Sequence, residues 1–392
     1  MDAQMPKTLD TECESVRQFL KGFHSEATKE SYSKKLSQFL HRCGMTPDQL
    51  LAGARGSPAS VQRLIIDYVE ERRKKVSGST INQTVVALKH FFEMNDAEDA
   101  ISWKKIAKIM PRVRKTGSDR APTIQEIRQM MESADTRIKC IILTCASSGI
   151  RVGAFEGMLW GDVTPVAGTD GGGVRAARIV AYRGSAEQYV TFVTPECYEM
   201  LLRYRTMREE AGERVTDASP LMRDAWDSHP YRKAGEKKDP AVATPLAPKT
   251  ISNMMGKFLK RINMRNKRHA DAAAGHEFKQ IHGFRKYFKT NAERTMKTID
   301  VEKLMGHAEN YYKPSEEYLL GQYVAAVPNL TISEEAELRS TIERQAAISD
   351  RKVGEIEREN EDLHERLAKL ESSYASVREI LENVLLSKTG GR

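Results

Sequence analysis

Ile138-Lys139-Cys140-Ile141-Ile142-Leu143-Thr144-Cys145-Ala146-Ser147-Ser148-Gly149-Ile150-Arg151 is the stretch on which the architecture turns. Its apolar run reads as a buried helix around Ile138 to Ala146, with Cys140 and Cys145 as buried core thiols. The run stops at Ser147-Ser148-Gly149-Ile150-Arg151, which leaves an arginine directly after a buried element. Further on, Arg178 to Tyr182 and Tyr189 to Val193 read as two short strands around a Gly-Ser turn. Thr194-Pro195 then opens a helix in cap and first-turn positions. On the upstream side, Thr123 with Glu126 three residues later forms a capping box that starts a helix. The region is therefore expected to be mainly α with a small β-sheet, an α+β domain.

Further upstream, the first hundred or so residues read as helices only. Tyr32, Leu36, Phe39 and Leu40 recur at helical spacing, as do Val61, Leu64, Ile65, Tyr68 and Val69, and then Ile81, Val85, Leu88, Phe91 and Phe92. Gly44, Gly53, Gly56 and Pro58 punctuate the turns between helices. The clusters Lys34-Lys35 and Arg72-Arg73-Lys74-Lys75, taken singly, read as solvated helix faces. Residues 112–121 lose periodicity and are polar and basic, as an interdomain linker would be. Residues 222–249, rich in Pro, Lys, Asp and Ala, read as a long exposed loop. Helical spacing resumes at Ile251, Met254, Met255, Phe258 and Leu259, where the methionines read as core filler. The expected organisation is an all-helical domain at 1–111, a linker at 112–121, the α+β domain at 122–333 and a coiled-coil tail at 334–392. In that tail Val353, Ile356, Leu363, Leu367, Leu370, Tyr374, Val377, Leu381 and Val384 fall on alternating three- and four-residue steps. Asn360 is a single polar residue in register with Val353 and Leu367, of the kind that sets register and strand number in parallel dimers. Self-association of the tail is one of its possible uses, beside folding back or binding another protein.

Composition narrows the class. With 40% hydrophobic and 30% charged residues among 392, the chain has the balance of a globular protein with many charged helical faces. A net charge of +8 makes a polyanionic partner plausible without establishing one. Cys13, Cys43, Cys140, Cys145 and Cys197 form no CxxC pair and no metal spacing, which points to reduced thiols inside a cell. No apolar stretch reaches membrane-spanning length, and Met1-Asp2-Ala3-Gln4-Met5-Pro6 has neither the basic start nor the apolar core of a signal peptide. A cytoplasmic, nucleoid-associated location is expected, with no membrane partner.

Four pieces of the α+β region carry chemistry: Ser147 to Arg151, the strand turn with Arg183, His282-Gly283-Phe284-Arg285, and Leu304-Met305-Gly306-His307 followed by Tyr311-Tyr312. A phosphodiester under attack gathers charge on its non-bridging oxygens, which guanidinium groups match with paired hydrogen bonds. Histidines add donors and move protons near neutral pH, and cationic neighbours make a phenol a better nucleophile. His282 and Arg285 lie three apart on one helical face, within reach of one phosphate. Each piece alone has an ordinary structural reading, as a surface helix, a capped helix end or core; their order and spacing in one basic chain do not. No carboxylate cluster of the kind that holds magnesium accompanies them, so no cofactor and no metal are expected.

In these motifs the chain resembles the tyrosine recombinase (phage-type integrase) superfamily, most closely its archaeal integrase branch. Ser148-Gly149-Ile150-Arg151 with Leu159-Trp160-Gly161-Asp162-Val163 resembles that family's first box. His282 to Arg285 and Leu304 to His307 resemble the later ones. The archaeal likeness lies in Tyr311-Tyr312-Lys313-Pro314-Ser315-Glu316 and Val327-Pro328-Asn329-Leu330-Thr331-Ile332. The resemblance implies integration or excision of a mobile element. In it, Arg151, His282, Arg285 and His307 would grip a scissile phosphate, and a tyrosine would attack it to leave a 3′-phosphotyrosyl link. It also implies that residues 1–111 form a core-binding (SAM-like) DNA-binding domain. The partner would be double-stranded DNA, held by a homo-oligomer that is dimeric on one site and tetrameric in synapsis. Three positions depart from the pattern. Arg183 stands where the family usually places a lysine as general acid, and a guanidinium, which does not readily give up a proton, suits charge stabilisation alone. Ala154 stands where an acidic residue is usual, with Glu156 two places on. Tyr311 follows His307 by only four residues, where the family usually leaves eight or nine; matching the Tyr-x-Lys-Pro stretch makes Tyr311 the expected nucleophile, with Tyr312 and then Tyr318 as alternatives. A DNA-binding scaffold without cleavage and a type IB topoisomerase are the competing readings.

Overall fold

A computed structural model describes residues 9–111, 120–168, 173–225, 239–264, 279–307 and 311–389. The described residues fall into two compact units, 9–111 and 120–389.

The first unit is helical throughout its described residues: α1 (Glu14–Lys21), α2 (Glu26–Cys43), α3 (Pro47–Gly56), α4 (Pro58–Arg72), α5 (Gly78–Glu93) and α6 (Trp103–Ile109). The three expected stripes become the buried faces of α2, α4 and α5. Leu36, Phe39, Ile65, Leu88, Phe91 and Phe92 meet in one core with Phe19 of α1. Gly44 ends α2 in the left-handed region and Pro58 opens α4, as residues at turns would, but the stretch between them differs from expectation. Gly53 and Gly56 lie within α3 rather than in a turn, because Thr46 caps that helix reciprocally with Gln49 and Pro47 occupies its first turn. The capping pair thus outweighs the helix cost of the two glycines.

The second unit begins with α7 (Ile124–Ser133), where Thr123 and Glu126 form the expected capping box. The expected linker falls at 112–119 outside the described residues; Arg120 at its end pairs with Glu126 at 2.6 Å. The buried α8 (Thr136–Ser148) follows, then β1 (Val163–Ala167), β2 (Val174–Ala181) and β3 (Tyr189–Val193) in an antiparallel sheet of order β1-β2-β3. Val163 pairs with Ile179, and Ala181 with Tyr189. The unanticipated β1 carries Pro165, which a strand tolerates only at a sheet edge, where β1 lies. Helices α9 (Pro195–Glu210), α10 (Pro248–Arg261), α11 (Gln280–Ala292), α12 (Thr298–Leu304) and α13 (Glu316–Leu330) complete the unit, and α14 (Glu334–Thr389) runs on from it. The core joins Phe192 of β3 to Phe288 of α11, Leu304 of α12 and Tyr323 of α13.

The described part of the expected exposed loop at 222–249 is partly interior. Leu221, Met222 and Arg223 are buried, and residues 226–238 lie outside the described residues. Glu213 bridges the buried guanidiniums of Arg208 at 2.5 Å and Arg223 at 2.8 Å. Arg208 also donates to the carbonyls of Pro220 and Leu221, so this charged knot fixes the loop's base to α9.

Candidate active site

Residue Gly149 ends α8 at a φ of +63°, and a Cβ there would overlap the ring of Phe288 on α11. This turn delivers Ile150 to the core and Arg151 to the surface. Arg285, on the buried side of α11, reaches back to the same turn, donating to the Gly149 carbonyl from Nη1. Its Nη2 donates to the Met305 carbonyl at 2.8 Å and lies 2.8 Å from His307 Nε2. One guanidinium, only 4% exposed, therefore ties together the ends of α8 and α12. His307 follows Gly306, whose φ of +72° and close approach to the Tyr189 ring leave no space for a side chain.

Because Arg285 can only donate, the Nε2 of His307 must accept, which places the imidazole proton on Nδ1. That nitrogen faces Glu302 on α12, whose other carboxylate oxygen takes Lys289 of α11. Burial, then Arg285 and Arg151, hold the His307 pKa below its ordinary value. Lys289, which shares the Glu302 carboxylate, adds to that lowering. Burial and then Arg151 also lower the pKa of Arg285. Tyr189 lies beside Arg285, and burial raises its phenol pKa to about 12, with Arg285 opposing. Tyr182, raised by burial, also feels Arg151 and Arg285.

The structure thus brings Arg151, Arg285 and His307 into one electrostatic cluster, with Tyr182 and Tyr189 as its wall. His282 is exposed on α11, one turn before Arg285. Arg183 is held elsewhere: its guanidinium pairs with the buried Asp162 and donates to the Gly161 carbonyl at 3.2 Å. Tyr311 is fully exposed, at 101%. Tyr312 donates its phenol proton to Asp300, a 0%-exposed carboxylate on α12, and its pKa is raised chiefly by that bond. Tyr318 donates to the other oxygen of Asp300 at 3.2 Å. Glu302, Lys289, Tyr189, Asp162 and Asp300 escaped the sequence reading. Of these, Asp162 and Tyr189 lie inside quoted segments, though with no role at the site; the others meet the site through contacts between separate elements.

A largely cationic groove also forms on the first unit, where Lys34 of α2 and Arg72 of α4 lie with His41, Tyr68 and Arg42, the last paired with Glu71 at 2.6 Å. The pKa of Lys35 is lowered by burial, then by Arg72 and Lys34, so clusters far apart in sequence share one field. Among the described residues no group of three or more His, Cys, Asp or Glu is arranged to hold a metal ion, and no helix is long and apolar enough to cross a membrane.

No protein-family model and no curated protein matches the chain. Solved structures do. A XerH site-specific recombinase bound to palindromic difH substrate, in a post-cleavage complex, is 14% identical with a TM-score of 0.47, over 81% of this chain and 80% of that one. The Tn1549 transposon integrase in complex with transposon right end DNA is 15% identical with a TM-score of 0.46, over 85% and 99%. XerA recombinase is 18% identical with a TM-score of 0.35, over 86% and 99%.

Proposed function

We propose that this chain is a tyrosine recombinase that breaks and rejoins DNA strands, acting as the integrase or excisionase of a mobile element. The observation that carries the reading is the convergence of Arg151, Arg285 and His307 from three separate motifs beside one exposed surface, with His282 one turn away. A phosphate seated there would meet the exposed guanidinium of Arg151 in the positive field of Arg285; His282, and His307 once it turns from Arg285 toward the phosphate, would complete a donor set matched to a pentacovalent transition state. The tyrosine oxygen gives up its proton to water and bonds to phosphorus, the phosphorus–O5′ bond breaks, and the 5′-oxygen leaves with a proton. The phosphotyrosyl bond retains the energy of the broken one, so rejoining needs no nucleotide cofactor. His282 or water supplies the leaving-group proton, since Arg183 is a poor acid. Tyr311 is the nucleophile: its phenol is exposed, whereas that of Tyr312 is bound to a carboxylate, which weakens it as an attacking group. Lys34, Lys35 and Arg72 would contact the DNA backbone, in a dimer on one site and a tetramer in synapsis.

Nicked duplexes made from fragments of the encoding genome test the reading. DNA that stays attached to the protein after denaturation is the expected result, and peptide mapping should place it on Tyr311. Tyr311→Phe should lose that product while Tyr312→Phe keeps it; no covalent product from any fragment would defeat the proposal. The engagement of Arg183 by Asp162 and of Tyr312 by Asp300 favours a second reading, a DNA-binding scaffold that no longer cuts. That protein would retain fragments reversibly. Relaxation of supercoiled plasmid without site preference would instead indicate a type IB topoisomerase.

A further inference from the structure

Helix α14 runs for 56 residues, on the order of 80 Å at 1.5 Å per residue. Its apolar seam is open: Val353, Ile356, Leu363, Leu367 and Leu370 are each 50–69% exposed. Numbered as heptads, Val353, Asn360 and Leu367 take position a, and Ile356, Leu363 and Leu370 take position d. A stripe this narrow matches a coiled-coil seam rather than the broad face of a globular helix.

The flanking charges identify the partner. In a parallel, in-register pair each g residue meets the e residue five places on in the other helix. Those pairs are Lys352 with Glu357, Glu359 with His364, and Arg366 with Glu371. None of the three is repulsive, and the pairs that flank them, Gln345 with Asp350 and Ser373 with Arg378, carry one charge each. Asn360 meets its own copy in this register, amide against amide. An antiparallel partner would set that amide against a d residue, and every d residue from Ile356 to Val377 is apolar. We infer that α14 docks onto α14 of a second copy of this chain as a parallel, in-register, two-stranded coiled coil. The inference is independent of any activity in the second unit. It brings both Glu334 ends, and the unit attached to each, to the same end of one rod.

The full chain without DNA is the test material. Sedimentation equilibrium should return a dimer. In a Cys13→Ser, Cys43→Ser background, Val353→Cys and Val377→Cys lie about 36 Å apart along the helix axis. Each should form a disulfide-linked dimer with itself, and mixing the two should yield no crosslink between 353 and 377. Lys352→Glu/Arg366→Glu and Glu357→Lys/Glu371→Lys should each weaken the dimer at least tenfold, and an equimolar mixture should restore it. Helical content is read alongside, because Arg366 also pairs with Asp362 inside its own helix. A monomer, a trimer or larger assembly, a crosslink that appears only between 353 and 377, or charge variants that fail to rescue each other would each overturn the inference.

Discussion

Arg285 and Arg151 differ in what surrounds them, and their variants should differ accordingly. Arg151→Ala removes an exposed guanidinium, so it should abolish DNA cleavage through about 3–4 kcal/mol of lost transition-state stabilisation, with thermal unfolding nearly unchanged. Arg285→Ala also leaves the buried Gly149 and Met305 carbonyls without their donor, adding roughly 1–3 kcal/mol of destabilisation. Covalent capture and calorimetry on the two variants separate the effects. His307 makes a pH prediction. Its folded pKa lies below the ordinary 6.5, so over that window the unfolded chain binds more protons and stability rises with pH. The contribution is complete above 6.5 and is lost as pH falls through the lowered value; His307→Gln should remove this acid-side loss. Glu302→Gln takes away the carboxylate that faces Nδ1 of the imidazole, so NMR should show His307 titrating at still lower pH, and cleavage should fall about tenfold or more.

At the scale of elements, Glu213 is the position where a small change should matter most outside the site. Glu213→Gln would leave buried Arg208 without the carboxylate it pairs with and Arg223 with Asp224 at 3.4 Å, at a cost on the order of 3–5 kcal/mol by denaturant unfolding. Legibility also divides at this scale. Periodicity marked α2, α4, α5 and α8 because each buries one face or nearly all of itself, and Thr123 and Thr194 announced their helices by local chemistry. Edge strand β1 was hidden by Pro165 and by having a single neighbour. Loop residue Arg223 was hidden because its burial depends on Glu213, ten residues upstream. The motif residues Arg151, Arg285 and His307 were legible from spacing. Their link to Glu302, Lys289 and Tyr189 was not, since it exists only after α11, α12 and β3 have packed.

For the whole molecule, the four-residue step from His307 to a fully exposed Tyr311 bears on which subunit's phosphate site the tyrosine would serve under the proposed function. We expect the tyrosine to serve a neighbouring copy, so that mixing a Tyr311→Phe chain with an Arg151→Ala chain restores cleavage that neither shows alone. Absence of recovery would assign the tyrosine to its own subunit. The triple engagement of Arg285 has an evolutionary corollary. On the proposed function, catalytic and architectural selection would act on one side chain, so a lineage that abandoned strand cutting would still retain that arginine merely to keep α8, α11 and α12 assembled. Exposed Arg151 has no comparable protection and would drift first. Among descendants of this gene, the state of position 151, rather than 285, would be the marker that tells a working enzyme from its fossil.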